Sequence, residues 1–164
     1  MTANSADSLP DALKEIRTKP LFVMRLNVLP LQVIGATPGP FRRVGVVPGG
    51  TFEGERLSGV LLEGGADWQD VRRDRSVTLN VRLVLHTTDG ALIGMTYRGL
   101  RRGPAEVLAR LDHGEPVDPA EYYFRTACFF ETAAERYAWL NGIVAIGLGH
   151  RLAGGPVYSM FEVL

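Results

Sequence analysis

The chain has 164 residues, of which 46% are hydrophobic, 9% aromatic and 22% charged, the composition of a single globular domain with a core of its own. Lysine plus arginine and aspartate plus glutamate number 18 each, so no net charge favours nucleic acid or acidic lipid as a partner. No run approaches the roughly 20 apolar residues of a membrane span, and the polar N-terminus lacks the apolar stretch of a signal peptide. We therefore expect a cytoplasmic protein that binds neither nucleic acid nor membrane.

Positive charge is concentrated locally in three arginine pairs, at residues 42–43, 72–73 and 101–102. Each pair lies close to glycine, proline or aspartate, which favour turns. We interpret all three pairs as solvated turn residues.

Cysteine and histidine are too sparse to predict a metal centre. Cys128 is the single cysteine, and the spacing of His86, His113 and His150 does not resemble a zinc or iron site. A Walker-type phosphate loop, a dinucleotide fingerprint and a nucleophile elbow are also absent from the sequence. The sequence thus predicts no metal and no cofactor. The aromatic neighbours of Cys128 favour a buried, inert thiol over a nucleophile.

The first 19 residues differ in character from the rest of the chain. Ser8, Pro10 and Asp11 are typical of a helix start, with a capping hydroxyl, an early proline and an acid in the first turn. Only about two turns can follow before Pro20, because a proline interrupts a helix. We predict an N-terminal arm or short helix over residues 1–19 and a single domain over residues 20–164.

From Leu21 onward, short apolar runs separated by glycine and proline predict β-strands. The clearest strand covers residues 77–87, where apolar side chains alternate with mostly polar ones, and the Asp89-Gly90 pair after it favours a hairpin turn. The other predicted strands cover residues 21–34 with a break at Pro30, 44–47, 51–53, 57–63, 91–98, 122–130, 143–150 and 157–163.

Two short helices interrupt the series of strands. Residues 104–111 begin with proline, and a capping box at Thr132 and Glu135 predicts a second helix that ends near Asn141. Glycines inside strands, such as Gly149, suit a sheet that bends sharply, which favours a barrel over an open sandwich. We predict an all-β fold, an antiparallel, closed or nearly closed β-barrel of about eight strands with two or three short helices.

Four segments of the chain resemble one known family. In chain order they are Gly49–Gly54, Gly64–Gln69, Tyr122–Thr126 and Glu135–Asn141. The same motifs occur in this order in the bacterial and fungal family called domain of unknown function 3237, and the resemblance extends from about Pro20 to the C-terminus. It implies a small antiparallel barrel and no particular activity. The apolar stretch Cys128–Phe130 departs from the family, in which we would expect a less apolar stretch that contains proline.

Asp67 and Trp68 follow two glycines, which predicts a turn at a barrel rim. There Asp67 would act as a general acid or base, with a pKa raised by Trp68 and a partly closed mouth. The alternative is an aspartate that accepts backbone hydrogen bonds within its own loop. Glu53 is a further acid that would face the barrel, where Gly54 either leaves room for a ligand or simply suits a bend.

Arg82, Tyr97, Tyr123 and Arg125 are the other candidate residues. Tyr123 and Arg125 are two apart and share a strand face, where a phenol and a guanidinium can hold an enolate or carboxylate. Aromatic packing with a paired arginine is the alternative for this strand, and Tyr97 belongs to the same candidate set. Arg82 is an anion clamp if its side chain points inward, and a solvated residue or dimer contact if it points outward.

The predicted catalytic residues are therefore Asp67, Tyr123 and Glu53, and the predicted substrate-binding residues are Trp68, Arg82, Tyr97 and Arg125. With them we expect a cofactor-free enzyme that performs proton-transfer chemistry, such as isomerisation, cyclisation or hydration, on an apolar carbonyl-bearing metabolite in a barrel cavity. A non-catalytic carrier or sensor of such a small molecule is one alternative. A fully packed structural barrel that forms a homodimer is the other.

Overall fold

A computed structural model describes residues 5–164, so the first four residues of the predicted arm lie outside the described residues. The described part of the arm contains two short 3-10 segments, Ser5–Ser8 and Asp11–Leu13, and every residue from 7 to 20 is exposed. No helix within residues 5–164 has the length and apolar character needed to cross a membrane.

The described residues contain eleven β-strands and one α-helix. The strands are β1 (Thr18–Asn27), β2 (Gln32–Ala36), β3 (Phe41–Val47), β4 (Gly49–Glu53), β5 (Ser58–Leu61), β6 (Gly65–Val71), β7 (Val77–Thr87), β8 (Leu92–Arg102), β9 (Tyr123–Glu131), β10 (Ala145–Leu152) and β11 (Gly155–Val163). The helix α1 covers Ala105–Asp112, and two further 3-10 segments cover Pro119–Glu121 and Glu135–Gly142.

Eight of the strands form a closed antiparallel ring in the order β7, β5, β4, β1, β11, β10, β9 and β8, and the pairing of β8 with β7 completes it. The predicted closed barrel is therefore confirmed. Strands β2, β3 and β6 extend the sheet, because β6 pairs with β7 next to β5, and β3 and β2 follow outward. Pro48 separates β3 from β4, and Pro30 lies between β1 and β2, so the predicted break at Pro30 is confirmed.

Alternation of inward and outward side chains along the strands fills the barrel. On β7 the side chains of Val77, Leu79, Val81, Leu83 and Leu85 are buried, as their period of two predicts. At one end of the interior the packing is aromatic and aliphatic. There the Phe22 ring lies 5.5 Å from the Phe52 ring and 6.2 Å from the Phe130 ring, with Met95 and Met160 buried in the same core.

The two helix predictions have different outcomes. Helix α1 confirms the helix predicted over 104–111, displaced by one residue. The capping-box prediction is wrong, because Glu135–Gly142 is a 3-10 segment that has Ala134 at its N-cap and no side-chain cap. The Thr132 hydroxyl instead donates to the Leu92 carbonyl (2.7 Å) and accepts from the Ala134 N–H (3.1 Å). The hydroxyl is thus used to tie this segment to the start of β8.

Inward-facing glycines on β10 make room for large side chains from the neighbouring strands. A Cβ atom at Gly149 would lie 2.5 Å from the Phe124 ring, and one at Gly147 would lie 2.4 Å from Thr126 Oγ1 and 2.8 Å from Met160 Sδ. The glycines predicted from the sequence to serve bending thus also prevent steric overlap inside the ring.

Gly149→Ala should destabilise the fold by about 1–3 kcal/mol, because the added Cβ would overlap the Phe124 ring and force it to shift. Gly154→Ala is the matched control: a Cβ there meets no atom within 4 Å, and the substitution should change stability by less than about 0.5 kcal/mol. Urea unfolding of the two variants gives the comparison. Equal midpoints would contradict the tight contact at Gly149.

Candidate functional site

A cavity lies inside the barrel at the end where β8 finishes and β9 begins. Its volume is about 30 Å³, which is room for about two water molecules. The residues that line it are Leu26, Val28, Leu31, Val47, Asp67, Gln69, Leu79, Tyr97, Arg101, Phe124, Arg151, Pro156 and Tyr158. The apolar core thus gives way at this end to a cluster of acidic, phenolic and cationic groups.

Strand β6 brings Asp67 into this cavity. The prediction that Asp67 and Trp68 lie in a turn is wrong, because both belong to β6, which pairs with β3 on one edge and β7 on the other. Asp67 and Gln69 point inward and are buried, whereas Trp68 points outward and is 49% exposed. The strand is hard to recognise from sequence, since its inward residues are polar and its outward residue is the aromatic one.

The Asp67 carboxylate is buried, with 8% of the residue exposed, and held by two hydrogen bonds. The Gln69 side-chain amide donates to Oδ2 (2.7 Å), and the Asn80 backbone N–H donates to Oδ1 (3.1 Å). Arg43 Nε in turn donates to Gln69 Oε1 (2.8 Å), which fixes the orientation of that amide. Burial raises the pKa of Asp67 above its usual value, and the hydrogen bonds from Gln69 and Asn80 only partly oppose this.

Tyr97 on β8 and Tyr158 on β11 meet inside the cavity. Their hydroxyl oxygens are 3.4 Å apart, and their rings contact edge to face with centroids 5.5 Å apart. Burial raises the pKa of both phenols well above the ordinary value, so both stay protonated at neutral pH and are available as hydrogen-bond donors.

Arg101 is the most unusual residue of the cavity. It is 4% exposed, and within residues 5–164 its guanidinium has no hydrogen bond and no ion pair; it lies 5.5 Å from the Phe124 ring centroid. Burial, together with the positive charges of Arg151 and Arg43, lowers the pKa of Arg101 to about 10, which still leaves it cationic at neutral pH.

The arginine pairs do not all occupy solvated turns as predicted. Arg72 and Arg73 lie in an exposed turn, but the 42–43 pair belongs to β3. Arg101 is buried because it continues the inward alternation of β8 from Tyr97. The interpretation of Arg101 as a solvated turn residue is therefore wrong.

Of the residues singled out in the sequence, Asp67 and Tyr97 line the cavity. Five others have exposed side chains on the outside of the sheet: Glu53, Trp68, Arg82, Tyr123 and Arg125. Tyr123 and Arg125 share a strand face as predicted, with the Arg125 guanidinium 5.0 Å from the Tyr123 ring and hydrogen bonded to the Phe124 carbonyl (2.9 Å). This pair is separated from the cavity by the strand itself.

Four polar residues of the cavity were not recognised from the sequence: Gln69, Arg101, Arg151 and Tyr158. The signal that could have found two of them is period two, since Gln69 is two residues from Asp67, and Arg101 is four from Tyr97. Among residues 5–164, no three His, Cys, Asp or Glu side chains come together as metal ligands would.

Comparison with known proteins shows relatives over nearly the whole chain. Residues 16–163 match the family described as protein of unknown function (DUF3237). A UPF0311 protein of Rhodopseudomonas palustris is 35% identical over 149 residues, which is 91% of this chain and 97% of the relative. Its crystal structure superposes with a TM-score of 0.89 and covers 92% of this chain and 99% of that one.

Two further solved structures share the barrel. A β-barrel-like protein of Acinetobacter baumannii is 36% identical, has a TM-score of 0.81 and covers 96% of this chain and 99% of its own. A protein of Penicillium herquei described as an enzyme has a TM-score of 0.71 and covers 95% of this chain and 100% of its own. At 18% identity the likeness to the Penicillium protein shows the fold alone.

Asp67→Asn should change how stability depends on pH. Because the folded-state pKa of Asp67 is raised above 3.8, the folded chain binds this proton more tightly than the unfolded chain. Stability contributed by the neutral acid is therefore lost as pH rises from 3.8 through the folded-state pKa. Urea midpoints taken between about pH 4 and pH 8 should show Asp67→Asn gaining on the wild type as pH rises. Parallel curves would contradict a raised pKa.

Cys128 should be chemically silent in the folded protein. The residue is 0% exposed, its Sγ lies 3.4 Å from Thr126 Oγ1, and burial raises the pKa of the thiol to about 12. Ellman's reagent should therefore leave the native protein unmodified and titrate one thiol per chain in denaturant, because only the thiolate reacts. Rapid reaction of the native protein would place Cys128 outside the core.

Proposed function

The chain belongs to the family described as protein of unknown function (DUF3237), and we propose that this member is an enzyme that transfers a proton on a small carbonyl-bearing metabolite with its own side chains. One observation carries the proposal: a buried carboxyl with a raised pKa shares a cavity with two buried phenols. Isomerisation, cyclisation and hydration of carbonyl compounds all include a proton transfer of this kind.

Asp67 is the proposed general acid or base. An acid works best when its pKa approaches the working pH, and burial moves the pKa of Asp67 in that direction. The bonds from Gln69 and Asn80 hold the carboxyl in one orientation, and both are made to oxygens that retain a further lone pair. A substrate proton can therefore be exchanged without releasing the carboxyl from the strand.

Tyr97 and Tyr158 are the proposed donors to the substrate oxygen. Loss of a proton next to a carbonyl places negative charge on that oxygen, and donors already in position stabilise it. The hydroxyl–hydroxyl distance of 3.4 Å is long for an O–H···O bond, so neither phenol is committed to a strong partner. Tyr97 thus keeps the binding role predicted from the sequence, and Tyr158 joins it.

The size of the cavity limits what enters it. A volume of about 30 Å³ takes the reacting group of a substrate rather than a whole metabolite. Leu26, Val28 and Leu31 line the same cavity, and the last two belong to the link between β1 and β2. An apolar body attached to the reacting group would pack against this link. Glu53, Trp68, Arg82, Tyr123 and Arg125 have no part in this proposal.

A carrier or sensor that binds the same molecule without turning it over is the second candidate. It is favoured by the two hydrogen bonds already made to the Asp67 carboxylate, since a carboxyl held in this way can serve as a binding group alone. The two functions differ in one measurable property, which is exchange of the substrate proton with solvent.

Exchange of protons next to a carbonyl tests the proposal without a known substrate. Small ketones, 2-oxo acids, 3-oxo acids and enones are incubated with the protein in D₂O, and deuterium incorporation is followed by NMR. At least one class should exchange faster with the wild type, and Asp67→Asn should reduce that rate by about 100-fold. Asp70→Asn is the matched control: Asp70 lies on the same strand, with Oδ1 2.7 Å from Arg42 Nη1 in an ion pair outside hydrogen-bond geometry.

The control variant should exchange protons at the wild-type rate, because Asp70 is not among the residues that line the cavity. Binding of a compound without exchange in any class would support the carrier instead. Equal loss in the two variants would show that charge on β6 matters only for folding.

A further inference from the structure

We infer that the Arg101 end of the cavity is an anion-binding subsite, and that the molecule held there carries a carboxylate. The inference deepens the proposed function, on which it rests, by naming the chemical class of its substrate. Three arginines lie close enough at this end to interact electrostatically: Arg43, Arg101 and Arg151, which we call the arginine cluster.

The first step is the missing partner of Arg101. A guanidinium has five N–H donors, and in this protein none of them has a hydrogen-bond acceptor within the described residues although the residue is 4% exposed. A buried charge without a partner destabilises a fold, and an apolar residue of similar volume would be better tolerated. The side chain lines the cavity, so an anion in the cavity is placed to supply the acceptors.

The second step is the charge of the surroundings. Arg151 lines the same cavity and is half-buried, with a hydrogen bond from its guanidinium to the Leu152 carbonyl. Arg43 Nη1 lies 3.8 Å from Asp112 Oδ1 at the end of α1. The arginine cluster therefore faces two carboxyl groups, those of Asp112 and Asp67. Three guanidinium groups against two carboxyl groups leave this end of the barrel with an excess of positive charge.

The third step is the choice of anion. A carboxylate is planar and matches the two parallel N–H groups of a guanidinium, and it is small enough for a cavity of about 30 Å³. Leu26, Leu79 and Phe124 line the cavity beside Arg101, and apolar walls suit the carbon body that a carboxylate brings and inorganic phosphate does not. The substrate expected is a short organic acid that bears a second carbonyl or a double bond.

The arrangement also divides the work within the cavity. Asp67, Tyr97 and Tyr158 line the same small space as Arg101, so they meet the reacting group that lies next to the bound carboxylate in a short acid. Anchoring a non-reacting group in this way helps to orient the reacting carbon, which is a recognised source of rate enhancement.

The test measures binding of pyruvate and benzoate to the complete chain by calorimetry, with acetone and inorganic phosphate as comparators. The two carboxylates should bind, and the comparators should not. Arg101→Met should weaken carboxylate binding by at least about 30-fold, the loss expected when one partner of a buried charge pair is removed. Arg102→Met is the matched control, because Arg102 is the next residue, is exposed and has its guanidinium 4.7 Å from the centroid of the exposed Tyr123 ring. It should bind as the wild type does.

A second measurement covers the case in which Arg101→Met does not fold. In ¹⁵N-labelled wild type, benzoate should shift the Nε–Hε resonance of Arg101, assigned by its loss in Arg101→Lys, and leave that of Arg102 in place. Absence of carboxylate binding to the wild type would overturn the inference, as would equal losses in Arg101→Met and Arg102→Met. Binding of phosphate alone would overturn the assignment to carboxylates.

The outcome is separable from that of the proposed function. Asp67→Asn should keep carboxylate binding and lose proton exchange. If carboxylate binding depends on Arg101 but no compound exchanges its protons, the anion subsite is supported and the proposed enzyme activity is contradicted. If neutral ketones exchange protons in a way that depends on Asp67 but carboxylates do not bind, the anion subsite is contradicted and the proposed enzyme activity is supported.

Discussion

Pairing of β8 with β7 closes the ring, and this closure is the constraint on which the rest of the structure depends. In a closed ring the strands share one interior of fixed size, so a change in the volume or polarity of one inward residue must be matched by its neighbours. Gly147 and Gly149 show the matching of volume, because their missing side chains leave the space that Thr126, Met160 and Phe124 occupy. The cavity is likewise shared between elements, since six strands of the ring line it together with Val47 of β3 and with Asp67 and Gln69 of β6.

Polarity inside the ring changes along the barrel axis, and β8 shows the change within one strand. Its inward side chains run from Ile93 and Met95 through Tyr97 to Arg101, that is, from aliphatic through phenolic to cationic. Strand β11 shows the same change, because Met160 is buried in the apolar part and Tyr158 lines the cavity at the polar end. The aromatic packing at the apolar end stabilises the barrel by burial and edge-to-face contacts. The polar end can therefore contain residues, such as Asp67 and Arg101, that do not themselves stabilise the fold.

The same rule, period two, explains which parts of the fold could be predicted from the sequence. Strand β7 was predicted with its correct bounds because its inward residues from Val77 to Leu85 are apolar and its outward residues mostly polar. The sequence of β6 predicts a turn because two glycines precede Asp67. The strand pattern does not correct this prediction, because Asp67 and Gln69 face the interior and Trp68 faces solvent, which inverts the usual pattern. Arg101 was missed for the same reason. The facing of Tyr123 and Arg125 could not be known either, because β9 alternates between two faces that are both rich in aromatic residues.

Asp67 and Arg101 are polar residues at inward positions of their strands, and they are also residues whose charged form is disfavoured by burial. Desolvation raises the pKa of Asp67 and lowers the pKa of Arg101, so burial disfavours the charged form of both groups. Polar groups kept inside a core can instead specify a unique packing, but for that role they need to be satisfied by one another. The Asp67 carboxyl meets this condition through Gln69 and Asn80, whereas Arg101 does not meet it within the described residues. An anion bound as proposed would supply the acceptors that Arg101 lacks within the described residues.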